Sequence, residues 1–159
     1  MTSNNDKKYL SQAVQLAQNK SADGKNGPFG AVITQEDEII SKGWNQVVQN
    51  QDPTAHAEII ALRKACEELD RHDLSNCVIY SSCEPCPMCL SAIYWARLKK
   101  VVFAADKHEA AQIGFDDRNI LNELGKNWED RELEMKQIKL ESAKNVFEKW
   151  KNNPNKIMY

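Results

Sequence analysis

Apolar residues near the start of the chain recur at helical spacing. Leu10, Ala13, Val14 and Ala17 step by three, one and three, which predicts a helix over residues 7–20 with one buried stripe. The stretch Asp23-Gly24-Lys25-Asn26-Gly27-Pro28 is rich in turn formers and breaks the pattern. Gly30-Ala31-Val32-Ile33-Thr34 and Glu38-Ile39-Ile40-Ser41 read as two strands, close enough to form a hairpin through Gln35-Glu36-Asp37. Helical spacing returns with Ala55, Ile59, Leu62, Cys66 and Leu69. The preceding Asp52-Pro53-Thr54 offers Asp52 or Thr54 as the cap, with Pro53 at the first helical position if Asp52 is chosen.

The second half alternates in kind. Cys77-Val78-Ile79-Tyr80-Ser81 is a short apolar strand, Pro87 opens a helix running through Ile93 and Trp95, and Val101-Val102-Phe103-Ala104-Ala105 is a continuous apolar strand. Such a run is expected in a parallel position covered on both faces. Strand, helix and strand make a crossover unit, so the expected fold is α/β: a three-layer α/β/α sandwich around a mixed sheet of about five strands. Past Gly114, residues 119–124 suggest a short helix and residues 134–140 alternate as a strand. Residues 143–151 suggest a last helix with Val146, Phe147 and Trp150 on one side. No repeat or linker divides residues 1–159, which are expected to form one domain.

Composition narrows the function classes. Apolar residues make up 42% of the chain, enough for a buried core. A net charge of -2 and a pI near 5.9 speak against non-specific nucleic-acid or membrane binding, which calls for a basic face. No apolar run approaches a membrane span, and the polar opening lacks a signal-peptide pattern. The five cysteines are odd in number and three crowd between residues 83 and 89, which suits metal ligation in a reducing cytoplasm better than disulfides.

The chemistry concentrates in His56-Ala57-Glu58 and Pro85-Cys86-Pro87-Met88-Cys89. One imidazole and two thiolates make three ligands. Catalytic zinc has three protein ligands and keeps a fourth position open, whereas a structural site closes all four. Residues 56 and 58 cannot share a helix face, so both reach one metal only from the helix's N-terminal tip. Cys86 and Cys89 fall across the opening turn of the next helix, where free N–H groups favour thiolates. Zinc lowers the pKa of bound water, but two thiolates blunt that effect, so a base is needed and Glu58 is the candidate. Other readings stay open for the parts. Cys86 and Cys89 alone suit a redox pair or half a zinc knuckle. With Cys83 they resemble part of an iron–sulfur run that lacks its fourth cysteine. Cys83 is either a packed neighbour or a fourth ligand.

Together the two motifs spell the H-x-E … P-C-x-x-C arrangement of zinc nucleobase deaminases. With Gly27-Pro28-Phe29-Gly30-Ala31, Asn45 and Asp52-Pro53-Thr54, the chain resembles the cytidine-deaminase-like superfamily. Ala92-Ile93-Tyr94-Trp95-Ala96-Arg97, Gly114-Phe115-Asp116-Asp117 and Tyr159 resemble its guanine-specific branch. That resemblance implies one zinc per subunit on His56, Cys86 and Cys89, with Glu58 shuttling protons. It implies Phe29 stacked on a purine, Asn45 hydrogen-bonded to it, and Ala57, Trp95, Asp117 and Tyr159 completing the pocket. It further implies hydrolysis of guanine to xanthine and ammonia by a homodimer whose segment 141–159 is exchanged between subunits. Guanine carries an N1–H that Asp117 can accept, and adenine does not. Plain core packing for Phe29 and Trp95, a helix cap for Asp116 with an exposed Asp117, and a frayed end for Tyr159 remain as alternatives. Deamination of another base, of a nucleoside or of tRNA adenosine is the second enzymatic reading, and a zinc-stabilised binding module is the non-enzymatic one.

Overall fold

Strand β1 (Gly30–Gln35) sends alternate side chains into two cores. In the computed structural model, which describes residues 4–159, Ala31 and Ile33 face one core and Val32 the other. β1 pairs antiparallel with β2 (Glu38–Trp44) and with β3 (Cys77–Cys83), and β3 pairs parallel with β4 (Lys100–Ala105). The order β2-β1-β3-β4 makes a mixed sheet of four strands. Helix α1 (Asn4–Ser21) covers one face, where Tyr9 and Ala13 meet Val32 and Tyr80. The opposite face carries α3 (Ala57–Glu68) and α4 (Pro87–Trp95), whose Ala57, Ala61, Leu62, Ala65 and Ile93 join Ala31, Ile33 and Ile79. This is the expected three-layer sandwich. Short helices α2 (Val47–Asn50) and α5 (Lys107–Gln112), unforeseen from periodicity, fill two connections.

Gly43 lets α3 press directly on β2. A Cβ there would lie 2.1 Å from the Ala57 carbonyl oxygen and 2.6 Å from the Ala61 nitrogen. Only glycine fits, so β2 fixes the height of the helix that carries His56 and Glu58. On the other face the Tyr80 hydroxyl donates to Asp6 Oδ1 at 2.9 Å, and Lys100 Nζ donates to both Asp6 carboxylate oxygens. Burial, then the hydrogen bond to Asp6 and its charge, pushes Tyr80 up to about 12. The folded pKa thus lies above that of a free tyrosine near 10. The stability Tyr80 contributes is complete below pH ~10 and is lost as pH rises through its folded pKa. In an absorbance titration at 295 nm Tyr80 should ionise late, together with alkaline unfolding. A titration with no late step would contradict the buried contact.

Two expectations require correction. β4 is an edge strand with Phe103 44% exposed, not a strand covered on both faces. Residues 134–140 form no strand, so the sheet has four members where about five were expected. Alternation alone does not make a strand, because its backbone groups need a neighbouring chain.

The chain divides into two units, 1–117 and 118–159. The second holds α6 (Arg118–Leu124), a 3-10 turn at Trp128–Asp130 and α7 (Glu141–Asn152). On α7, Val146, Phe147 and Trp150 lie at helical spacing and are 63%, 75% and 47% exposed.

Candidate active site

Two helix starts build the metal cluster. His56 is the N-cap of α3 and Cys86 the N-cap of α4, both with extended backbone at φ -69° and -64°. The carbonyl of each accepts the first helical bond, from Ile60 and Leu90. Their side chains stand at the helix tips, Glu58 is the second residue of α3, and Cys89 is the third residue of α4, which Pro87 opens. Neither Asp52 nor Thr54 caps α3, contrary to the sequence expectation. Asp52 Oδ1 instead accepts the Thr54 backbone N–H at 2.8 Å and its hydroxyl at 2.7 Å, a local turn that satisfies the capping chemistry within the loop. Those bonds hold the Asp52 carboxyl below its usual range. The helix begins after them, which is what brings His56 to its tip.

The ligand atoms of His56, Cys86 and Cys89 all lie within 4.8 Å of one another. His56 Nδ1 is 3.5 Å from each sulfur. Tetrahedral zinc with bonds of roughly 2.1 Å to nitrogen and 2.3 Å to sulfur separates those ligands by about 3.6 Å, so the donor set fits the ion. The Cys89 thiol hydrogen-bonds to the Cys86 sulfur and, with help from His56, brings Cys86 down to about 4. Cys89 is pushed up by Cys86 first and by burial second. His56 is raised by its bond to Cys86. A thiolate formed ahead of metal entry is what a zinc site needs. Cys83 stands apart from this set: its sulfur is 3.7 Å from the Asp106 carbonyl oxygen, and burial pushes its thiol up to about 11. It is the packed neighbour, not a fourth ligand.

Glu58 is buried at 6% exposure, and burial raises its carboxyl above the ordinary range. Its Oε2 lies 3.4 Å from Cys89 Sγ, beside the cluster, and its Oε1 accepts from the Ser81 hydroxyl at 2.8 Å. Ser81 was read from the sequence only as part of a strand. The available signal was a hydroxyl in phase with Cys77, Ile79 and Cys83 on the face of β3 that looks toward α3 and α4.

The expected base-binding residues fall in several places. Asn45 is buried, and its Oδ1 accepts from the Gly27 and Val47 backbone N–H groups, each at 3.4 Å. That fixes the amide orientation and leaves Nδ2 as a donor. The Asn45 backbone N–H also bonds the Phe29 carbonyl at 3.1 Å, linking those two residues. The Phe29 ring is partly buried against the core and meets Phe115 in a T-shaped pair at 4.9 Å. Ala57 is fully buried in the first turn of α3. Trp95 ends α4 at 70% exposure, Asp117 is half-buried just past Phe115, and Tyr159 is 72% exposed in the second unit.

Residues 3–105 match the cytidine and deoxycytidylate deaminase zinc-binding region, and the chain belongs to that family of zinc-dependent deaminases. It is 47% identical over 155 residues to the guanine deaminase of Bacillus subtilis (strain 168), covering 98% of this chain and 99% of the relative. The X-ray structure of the Bacillus subtilis guanine deaminase superposes with a TM-score of 0.93, across 96% of this chain and 98% of that one. A tRNA-specific adenosine deaminase from Haemophilus influenzae is 41% identical over 118 residues, 70% of this chain and 68% of its own length. The solved guanine deaminase of Nitrosomonas europaea is 33% identical with a TM-score of 0.65, covering 74% of this chain and 66% of that one.

Proposed function

We infer that this chain is a zinc-dependent aminohydrolase that converts guanine and water to xanthine and ammonia. The observation carrying this reading is the His56, Cys86 and Cys89 cluster with the buried Glu58 beside it, joined to a likeness that runs the length of the chain. A match over 98% of 159 residues extends through most of 118–159, whereas 118 residues matched to a tRNA deaminase cannot span the whole chain. Guanine, not tRNA, is therefore the favoured substrate. The acidic balance supports the same choice, since tRNA binding draws on basic surface.

His56, Cys86 and Cys89 hold the zinc, which supplies Lewis acidity and makes a water reactive at neutral pH. Glu58 takes a proton from the attacking water with Oε2 and passes it to the ring nitrogen beside C2. It then carries water's second proton to the amine as the C2–N bond breaks. Oxygen ends on C2 and ammonia leaves, so the atoms balance. Phe29 stacks on the purine, and Asn45 donates from Nδ2 to an acceptor on it. Ala57 offers a first-turn N–H that has no partner within its helix. Asp117 accepts the N1–H, and Trp95 closes the pocket together with Tyr159 of the partner subunit. Zinc-loaded protein given guanine should release xanthine and ammonia in equal amounts, with adenine turned over at least 10²-fold more slowly. No turnover of guanine, or faster release from adenine, overturns the assignment.

The working form is a homodimer exchanging residues 141–159, acting in the cytoplasm in purine metabolism. Three features support the exchange: β4 is an open apolar edge, residues 134–140 alternate without a strand partner among the described residues, and α7 exposes Val146, Phe147 and Trp150. An open edge invites another chain, and an apolar helix face invites cover. All five cysteines are free, as in a reducing compartment, and no described helix is long and apolar enough to cross a membrane. Light scattering should give twice the 18.1 kDa chain mass, and Trp150→Glu should shift it toward one chain. A wild-type monomer contradicts the exchange.

A further inference from the structure

We propose that Ser81 is a positioning residue for the deamination, holding Glu58 by Oε1 so that Oε2 alone faces the reacting water. The inference rests on the proton-shuttle reading of Glu58 given above and adds the residue that aims it. Ser81 is 0% exposed in β3, which is paired on both sides: Ser81 sits opposite Ala31 of β1 and beside Phe103 of β4. A hydroxyl on a central strand has little freedom to leave. It donates to Glu58 Oε1 at 2.8 Å, an ordinary bond length, while Oε2 points the other way, 3.4 Å from Cys89 Sγ. The two carboxylate oxygens thus have separate duties. Once Cys89 is a metal-bound thiolate it donates nothing, and Oε2 is left to exchange protons.

The chemistry of the pair fits a shuttle that changes charge each cycle. Ser81 donates to Oε1 when Glu58 is a carboxylate. When Oε2 carries a proton, Oε1 is the carbonyl oxygen of a carboxylic acid and still accepts the same bond. The anchor therefore survives both states, and the carboxyl does not rotate away after taking its proton. Without the anchor, χ3 of Glu58 is a soft torsion and either oxygen can turn toward the water or away. Misplacing a catalytic group by about 1 Å can cost on the order of 10²-fold in rate.

A double-mutant cycle on the zinc-loaded enzyme separates aiming from plain support. Ser81→Ala should lower kcat by roughly 10- to 100-fold and leave KM for guanine within about twofold, with one zinc per chain retained. In the Glu58→Gln background the same change should have little further effect on the residual rate, because there is no shuttle left to aim. An undiminished kcat in Ser81→Ala overturns the proposal while leaving Glu58's role intact. So does an equal fractional loss in both backgrounds, since that marks a structural role independent of Glu58. Full activity of Glu58→Gln itself would instead overturn the shuttle reading on which the proposal stands.

Discussion

Glu58→Gln should lower kcat by roughly 10²–10⁴-fold while the protein keeps one zinc per chain and its fold. Glutamine preserves the shape and can still accept the Ser81 bond through its Oε1, but it takes no proton from water. The same substitution should not weaken the metal-free protein. Burial holds the Glu58 carboxyl above its ordinary range, so the stability it contributes is fully present below its unfolded pKa near 4.3 and is lost as pH rises through the raised folded value. Glutamine removes that loss. In metal-free protein the thermal midpoint of Glu58→Gln should match or exceed wild type at pH 7–8, and the two should converge toward pH 4. A variant that is both slow and markedly less stable at pH 7 would make Glu58 a structural residue rather than a proton carrier.

Removal of the metal should have the next largest effect, on rate and stability together. Cys86→Ala deletes a ligand sulfur that stands at the N-cap position of α4, 3.5 Å from His56 Nδ1. Activity should fall to background and zinc should be lost on dialysis. In the wild type, a strong chelator should abolish turnover, and zinc added back should restore it. An ion present at 1,000 times its dissociation constant stabilises the folded state by about 4 kcal/mol. For a chain of this length, each 1 kcal/mol shifts the midpoint by about 2–4 °C, so chelation should lower it by about 10 °C. The shift should shrink at acid pH, where protons compete for the thiolates and imidazole. Scanning calorimetry with and without chelator reads this directly, and identical midpoints with full activity would exclude a metal at this cluster.

The metal cluster was legible from the sequence because each of its halves is local and the two together spell the H-x-E … P-C-x-x-C motif, although His56 and Cys86 lie 30 residues apart. His56 with Glu58, and Cys86 with Cys89, each lie within one helical turn, and proline at position 87 marked a helix start that the structure places there. The sheet was legible where periodicity and burial agree, as at Ala31, Val32 and Ile33. Three features were not. Asp52-Pro53-Thr54 carries capping residues, but Asp52 spends its oxygen on Thr54 before the helix begins. The apolar run at 101–105 suggested burial on both sides, yet hydrophobicity reports the need for cover and not what supplies it, and β4 is an edge. Residues 134–140 show the converse, a strand pattern without a partner. Ser81 was hidden for a different reason: its bond to Glu58 joins residues 23 apart in the chain, and nothing in the spacing of a single sequence announces such a pairing.

X-ray absorption at the zinc edge of the purified protein would test the ligand set itself. Two sulfurs at about 2.3 Å, with one imidazole nitrogen and one further light atom at about 2.0–2.1 Å, are expected for a centre on His56, Cys86 and Cys89 with an open fourth position. Three or four sulfurs around the ion, or no imidazole, would mean that the metal is held structurally and that the deaminase chemistry has no place to occur.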